Sequence, residues 1–159
     1  MSDLYEQDFI GWTEEQARLL RDIAARGTNL PLDWGHLAEE IEDLGKSQYY
    51  ALASQVARVI EHLLKLEHSP ATGPRPGWME TIADARDEIA RRLDDDPGLK
   101  PRLAEIVGKE TPRAARRAAG ALARYQEDAG GIVARARTGT IYSLEQILAD
   151  WLPERPDPS

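Results

Sequence analysis

The sequence predicts an all-α fold, an irregular antiparallel bundle of about six helices, and three observations predict it. Apolar residues recur at three- and four-residue steps along most of the chain. Helix start signals open these stretches, and glycine or proline clusters close them. No alternating apolar–polar run is long enough to require a strand.

The elements follow in chain order. Thr13-Glu14-Glu15-Gln16 reads as a capping box, in which Thr13 caps the helix and Gln16 reaches back. Leu19, Leu20 and Ile23 continue as an apolar stripe, and Gly27 is a stop. Asp33 caps a second helix from Trp34 to about Leu44, which Gly45 either stops or bends. Lys46 to about His68 carries Leu52, Val56, Val59, Ile60, Leu63 and Leu66 on one face. Ser69 to Gly77 holds three prolines and two glycines and must be a loop. A fourth helix runs from Trp78 to about Leu93, ended by Asp94-Asp95-Asp96-Pro97-Gly98, and a short one spans Leu99 to about Val107. Thr111-Pro112 starts another, a cap followed by proline in the first helical position, continuing to about Asp128 and ended by Gly130-Gly131. Ser143-Leu144-Glu145-Gln146 opens a last short helix as a second capping box. The domain reading is one helical domain over 1–152, with an N-terminal hairpin (13–68), a Pro-rich loop (69–77), a C-terminal half (78–152) and a loose tail at 153–159.

Composition narrows the function. A 159-residue chain that is 42% apolar and 30% charged is a folded globular domain. It has no cysteine, which excludes disulfides and thiolate metal sites, and no stretch approaches the apolar length of a membrane span. The expected location is cytoplasmic, with no membrane partner. The net charge of −8 argues against nucleic acid as a general partner. That charge is uneven: residues 1–98 hold 10 Lys/Arg against 20 Asp/Glu, and residues 99–137 hold 9 against 4. Acidic and basic parts can meet inside the fold, across a homo-oligomer contact, or with a protein partner.

Helical-wheel placement separates solvated charges from the rest. With Leu37 central, Ile41 and Leu44 fall within about 40° of it, Glu40 at about 60°, and Glu39 and Glu42 on the far side. His62 sits at the edge of the Leu52/Val56/Val59/Leu63 stripe. On the fourth helix Trp78, Ile82, Ile89 and Leu93 define an apolar face, and Arg86 falls inside it. A guanidinium there requires a partner, so a buried polar cluster of Glu40, His62 and Arg86 is expected, unless Arg86 extends along its stem to solvent. The cluster would fix helix register before it performed chemistry. No metal site is expected: His36 and Glu40 share a face, but His62 and His68 point about 120° apart, and Asp33 is used as a cap. No cofactor is expected either.

A basic face on the sixth predicted helix gathers Arg113, Arg116, Arg117 and Arg124, opposite Ala115, Ala118, Leu122 and Tyr125. It lacks interleaved aromatics and polar base-reading side chains, so a solvated or protein-docking face outweighs a nucleic-acid one. There is no phosphate loop, nucleophile elbow or Cys–His pairing.

Several segments together resemble a known family. Tyr5-Glu6-Gln7-Asp8-Phe9 with Trp12-Thr13-Glu14-Glu15-Gln16, then Leu32-Asp33-Trp34 and Glu39-Glu40-Ile41-Glu42-Asp43-Leu44-Gly45, carry the N-terminal part. Glu61-His62-Leu63-Leu64-Lys65, Trp78, Thr81-Ile82, Arg86, and Tyr142 through Leu148 to Leu152-Pro153-Glu154 carry the rest. The chain resembles the bacterial domain-of-unknown-function family 29 over nearly its whole length. It departs from the pattern between about 100 and 140, where it is Arg-rich and Thr140-Ile141 stand in place of Cys-Pro. The resemblance implies a largely helical, mostly bacterial protein of unassigned function, and it supplies no catalytic residues. The function expected from the residues is a non-catalytic interaction or regulatory protein. An enzyme built on the polar cluster, or a nucleic-acid binder using residues 113–124, are the alternatives.

Overall fold

A computed structural model describes residues 3–156. Seven α-helices and one 3-10 turn make up the described residues, and no strand occurs among them. They are α1 (Leu4–Gln7), α2 (Phe9–Arg26), α3 (Trp34–His68), α4 (Arg75–Asp95), a 3-10 turn (Pro97–Arg102), α5 (Leu103–Arg124), α6 (Gly130–Ala136) and α7 (Leu144–Leu148). No helix among the described residues is long and apolar enough to cross a membrane. The chain divides into two compact units, Met1–Leu52 with Arg92–Pro101, and Ala53–Arg91 with Arg102–Ser159. The division falls within α3 and α4 rather than at the Pro-rich loop.

In the first unit, α2 starts earlier than its predicted cap. Asp8, not Thr13, is the N-cap, and its carboxylate accepts from the Gly11 amide at 2.9 Å. Thr13 is fully buried one turn into the helix, where its hydroxyl donates to the Ile10 carbonyl at 2.7 Å. Gly45 neither stops nor ends a helix, because α3 runs through it for 35 residues. The glycine is there for packing. A Cβ at position 45 would lie 2.1 Å from Thr13 Oγ1, so α2 and α3 cross where neither presents a large side chain. Asp33 caps α3 as expected, accepting from the His36 amide at 3.3 Å. Asp96 ties the start of α2 to the 3-10 turn, accepting from the amides of Phe9 and Gly98, each at 3.1 Å.

In the second unit, the later part of α3 buries the predicted stripe: Val56, Val59, Ile60, Leu63 and Leu66 are 1% exposed or less. Helix α4 opens at Arg75 instead of Trp78, with Pro76 tolerated in the first turn, where its missing amide has no helical partner to lose. The two helices predicted around residues 99–128 are one. Helix α5 passes through Thr111-Pro112 because Ile106 and Val107 before the proline and Ala114, Ala115 and Ala118 after it share one buried face. The Thr111 hydroxyl turns back to the Val107 carbonyl at 2.6 Å. Helix α5 ends at Arg124, not near Asp128, with Gln126 at φ 60 and the Glu127 amide closing back on the Leu122 carbonyl. Gly130-Gly131 therefore begin α6 instead of ending α5. Helices α6 and α7 both pack on α5, and Ile132 of α6 and Ile147 of α7 are fully buried. The Ser143 capping box on α7 is present in full. Of the predicted tail, Pro153 is buried, and residues 157–159 lie outside the described residues.

Candidate interaction face

The hairpin of α2 and α3 is antiparallel, since Thr13 faces Gly45 while Arg21, further along α2, pairs with Glu42, earlier on α3, at 2.7 Å. The two helices meet at Thr13 and Gly45, and the buried residues in line with these are Ile10 and Ala17 on α2 and Ala38 on α3. The larger apolar residues point elsewhere. Leu19 is 39% exposed, Ile23 42%, Leu37 40% and Leu44 55%. The sequence marked these positions as core-facing, and the structure corrects that: on α3 the buried line is Ala38–Gly45–Leu52, about 80° round the helix from Leu37, Ile41 and Leu44.

These exposed residues lie on ordered lines that also carry half-buried ones. Tyr5, Phe9, Trp12, Gln16, Leu19 and Ile23 follow one another by alternating steps of four and three, as do Trp34, Leu37, Ile41, Leu44 and Gln48. That is the spacing of a coiled-coil seam. At the head of the first seam, Tyr5 meets Phe9 and Trp12 edge-on, with ring centroids 5.6 and 4.9 Å apart, and Phe9 stacks on Trp12 at 5.9 Å. Each seam is turned in the same sense from its helix's packing face. In an antiparallel pair, both therefore emerge on the same side of the hairpin. The connecting loop adds Leu30 and Leu32, both more than half exposed.

The predicted polar residues have other roles. Arg86, half-buried on α4, donates to the carbonyls of Ile147 (2.9 Å), Gln146 (2.8 Å) and Trp151 (2.8 Å). The partner expected to be a carboxylate is thus the C-terminal end of α7, whose carbonyls lack helical donors. Burial pulls the Arg86 pKa below its usual value, and the Asp150 carboxylate opposes the shift. An open cavity of about 450 Å³ lies alongside, lined by Ile82, Arg86, Leu148 and Leu152 among others. His62 donates from Nδ1 to the Arg58 carbonyl at 2.8 Å, and burial lowers its pKa. Glu40 is exposed on α3. Arg113, Arg116, Arg117 and Arg124 are all exposed on α5, with Arg113 paired to Glu110 at 3.2 Å. His36 pairs with Asp33 at 2.6 Å, which raises its pKa. No cluster suited to a metal ion occurs among the described residues.

One network had no sequence signal. Glu67 accepts from the Tyr142 hydroxyl and pairs with Arg135 at 2.9 Å, while the Arg135 guanidinium also donates to His68 Nε2 at 2.9 Å. Because arginine can only donate, His68 is the neutral Nδ1–H tautomer, and burial lowers its pKa accordingly. Burial and the Glu67 contact push the Tyr142 phenol above its usual value. The four groups use one another's polar atoms. They join the end of α3 to α6 and to the segment before α7.

A family model described as a domain of unknown function, DUF29, matches residues 4–152. Among solved structures, an alpha-helical protein of unknown function from Rhodospirillum rubrum, at 1.45 Å resolution, is similar with a TM-score of 0.72 and 26% sequence identity. The match covers 94% of this chain and 92% of that one. No curated protein matches the chain.

Proposed function

We propose that this chain, which belongs to the DUF29 family and shares its helical fold without an assigned activity, is a non-catalytic interaction protein whose binding surface is the outward face of the α2–α3 hairpin. One observation carries this reading. Leu19, Ile23, Leu37 and Leu44, on two lines spaced as in helix–helix interfaces, stand exposed on one side of a hairpin whose close contact at Thr13 and Gly45 uses other residues. Leu37 and Leu44 leave 40% and 55% of their surface to solvent. The polar clusters support the same reading, since Arg86 and the Glu67–Tyr142 network are consumed in holding α7 and the C-terminal segment in place. The expected setting is a bacterial cytoplasm, supported by a bacterial relative of the same fold and by the lack of cysteine.

The test is site-specific photo-crosslinking in the host. A benzophenone amino acid placed at Leu37 or Leu44 forms a protein adduct, while the same group at Glu39, exposed on the opposite side of α3, does not. The absence of adducts from Leu37 and Leu44, or equal adducts from Glu39, overturns the reading.

A further inference from the structure

The charge around the two seams points to the kind of partner they take. The whole net charge of the chain resides in the first unit, where 14 Asp/Glu face 6 Lys/Arg, while the second unit holds 14 of each. Within the hairpin five acidic residues share one position of the seven-residue repeat, while Glu14, Glu39, Glu42 and Asp43 lie elsewhere on the helices. Asp8, Glu15 and Asp22 run along the outer edge of the α2 seam at seven-residue intervals, and Asp33 and Glu40 do the same along α3. In coiled-coil terms both edges occupy the position that sets charge matching with the neighbouring helix. Asp8 is committed to the Gly11 amide, Asp33 to His36, and Asp22 to Arg18 at 3.0 Å. Glu15 and Glu40 are exposed. The hairpin's cations mostly lie off the seam. Arg18, Arg21 and Lys46 pair with Asp22, Glu42, and Glu42 with Asp43, and only Arg26, at the end of α2, falls on the seam's line.

Resting on the interaction reading above, we infer that the hairpin face docks a basic amphipathic helix of a partner protein. The apolar stripe of that helix lies between the Leu19/Ile23 and Leu37/Leu44 seams, and its lysines or arginines reach the two acidic edges. A helix laid in an apolar two-helix groove is an established mode of peptide recognition, and anionic edges select a cationic ligand. A second copy of the chain fits less well, because pairing two such faces sets acidic edges against acidic edges.

The test uses the full chain and two synthetic helical peptides with the same Leu/Ile heptad seam, one with lysine at the flanking positions and one with glutamate. The lysine peptide binds at least about tenfold more tightly, and its affinity falls as salt rises from about 0.05 M to about 0.5 M. Charge reversal by the Glu15→Lys/Glu40→Lys double substitution weakens the lysine peptide by about tenfold and leaves the circular dichroism spectrum unchanged. Leu37→Ser/Leu44→Ser removes binding of both peptides. Equal binding of the two peptides overturns the inference. So does self-association of the chain in sedimentation equilibrium that Leu37→Ser/Leu44→Ser abolishes, since the occupant is then a second copy. If the Leu37 and Leu44 crosslinks form but neither peptide binds, the interaction reading survives and the basic-helix inference fails.

Discussion

Replacing glycine by alanine in a helix interior ordinarily stabilises a protein by about 1 kcal/mol, and at Gly45 the sign should reverse. The new Cβ would stand 2.1 Å from Thr13 Oγ1 and 3.2 Å from Thr13 Cβ. Two responses are open to the hairpin, and both are costly. If α2 and α3 separate to make room, their small-residue contact is overpacked, at roughly 1–3 kcal/mol. If Thr13 instead rotates its hydroxyl away, the 2.7 Å bond to the Ile10 carbonyl is lost at a fully buried site, which costs about 1–3 kcal/mol. Taking about 3 kcal/mol for the combined response and subtracting the propensity gain leaves a net loss of about 2 kcal/mol for Gly45→Ala. For a chain of this size that lowers the thermal midpoint by roughly 4–8 °C. Far-UV circular dichroism melts and urea titrations measure it. Gly120→Ala on α5 is the control: it is exposed, its Cβ would meet nothing within 4 Å, and the melt should rise. Thr13→Ala/Gly45→Ala removes the closest contact and should recover much of the loss. A Gly45→Ala protein as stable as the parent would refute the packing account, and with it the claim that α2 and α3 meet through small residues.

Two further outcomes follow from the second unit. Arg86→Met leaves the carbonyls of Gln146, Ile147 and Trp151 without their donor and should cost about 2–3 kcal/mol, with Arg86→Lys recovering part. Limited proteolysis after Leu144 should accelerate in the same order, and an Arg86→Met protein with an unchanged melt and cleavage rate contradicts the capping role. His68 titrates below its ordinary 6.5 because it is buried, with the Glu67 carboxylate opposing the shift and Arg135 adding to it. The folded state thus binds its proton more weakly than the unfolded one, so the His68 contribution to stability is level above about pH 6.5 and falls as pH drops below it, opposite in sign to that of His36, whose pKa is raised. His68→Gln should flatten that part of the urea midpoint profile, leaving the remainder to His62, whose pKa burial also lowers; a slope unaltered by the substitution would contradict it.

The local rules were legible where a short motif decides its own structure. The Ser143 box and the Asp33 cap need only a side chain and the amide two or three residues on, and both stand where the sequence placed them. The Val56–Leu66 stripe was equally readable, because a wide apolar face on a long helix leaves few alternatives. Readings failed where a distant segment overrode a local signal. Thr13 carries a cap's composition, but Asp8 lies five residues earlier and takes the role. Thr111-Pro112 has the form of a helix start, but a buried face running from Ile106 to Ala118 carries the helix across it. Arg86 stands half-buried on α4 between the buried Ile82 and Ile89. Its partner could not be read, because main-chain carbonyls sixty residues away leave no trace in side-chain composition.

The misreading of Leu37, Ile41 and Leu44 is the one that bears on function. Periodicity reports that a helix has an apolar face; it does not report what covers it. The small residues at 38 and 45 form a second, competing line on the same helix, and a glycine in mid-helix is the mark of close backbone approach. The hairpin therefore had two candidate packing faces, and the chain's own fold uses the smaller. Burying the leucines internally would leave the Thr13–Gly45 crossing without a reason. Burying the small residues leaves the leucines for something else. Asp8, Glu15, Asp22, Asp33 and Glu40 follow the leucine seams, whereas Glu42, beside the small-residue line, is paired with Arg21, so charge and apolar spacing are in register on the seam side. That agreement between two patterns is the basis of the proposed docking face, and Glu40, expected inside a buried cluster, stands exposed along its edge.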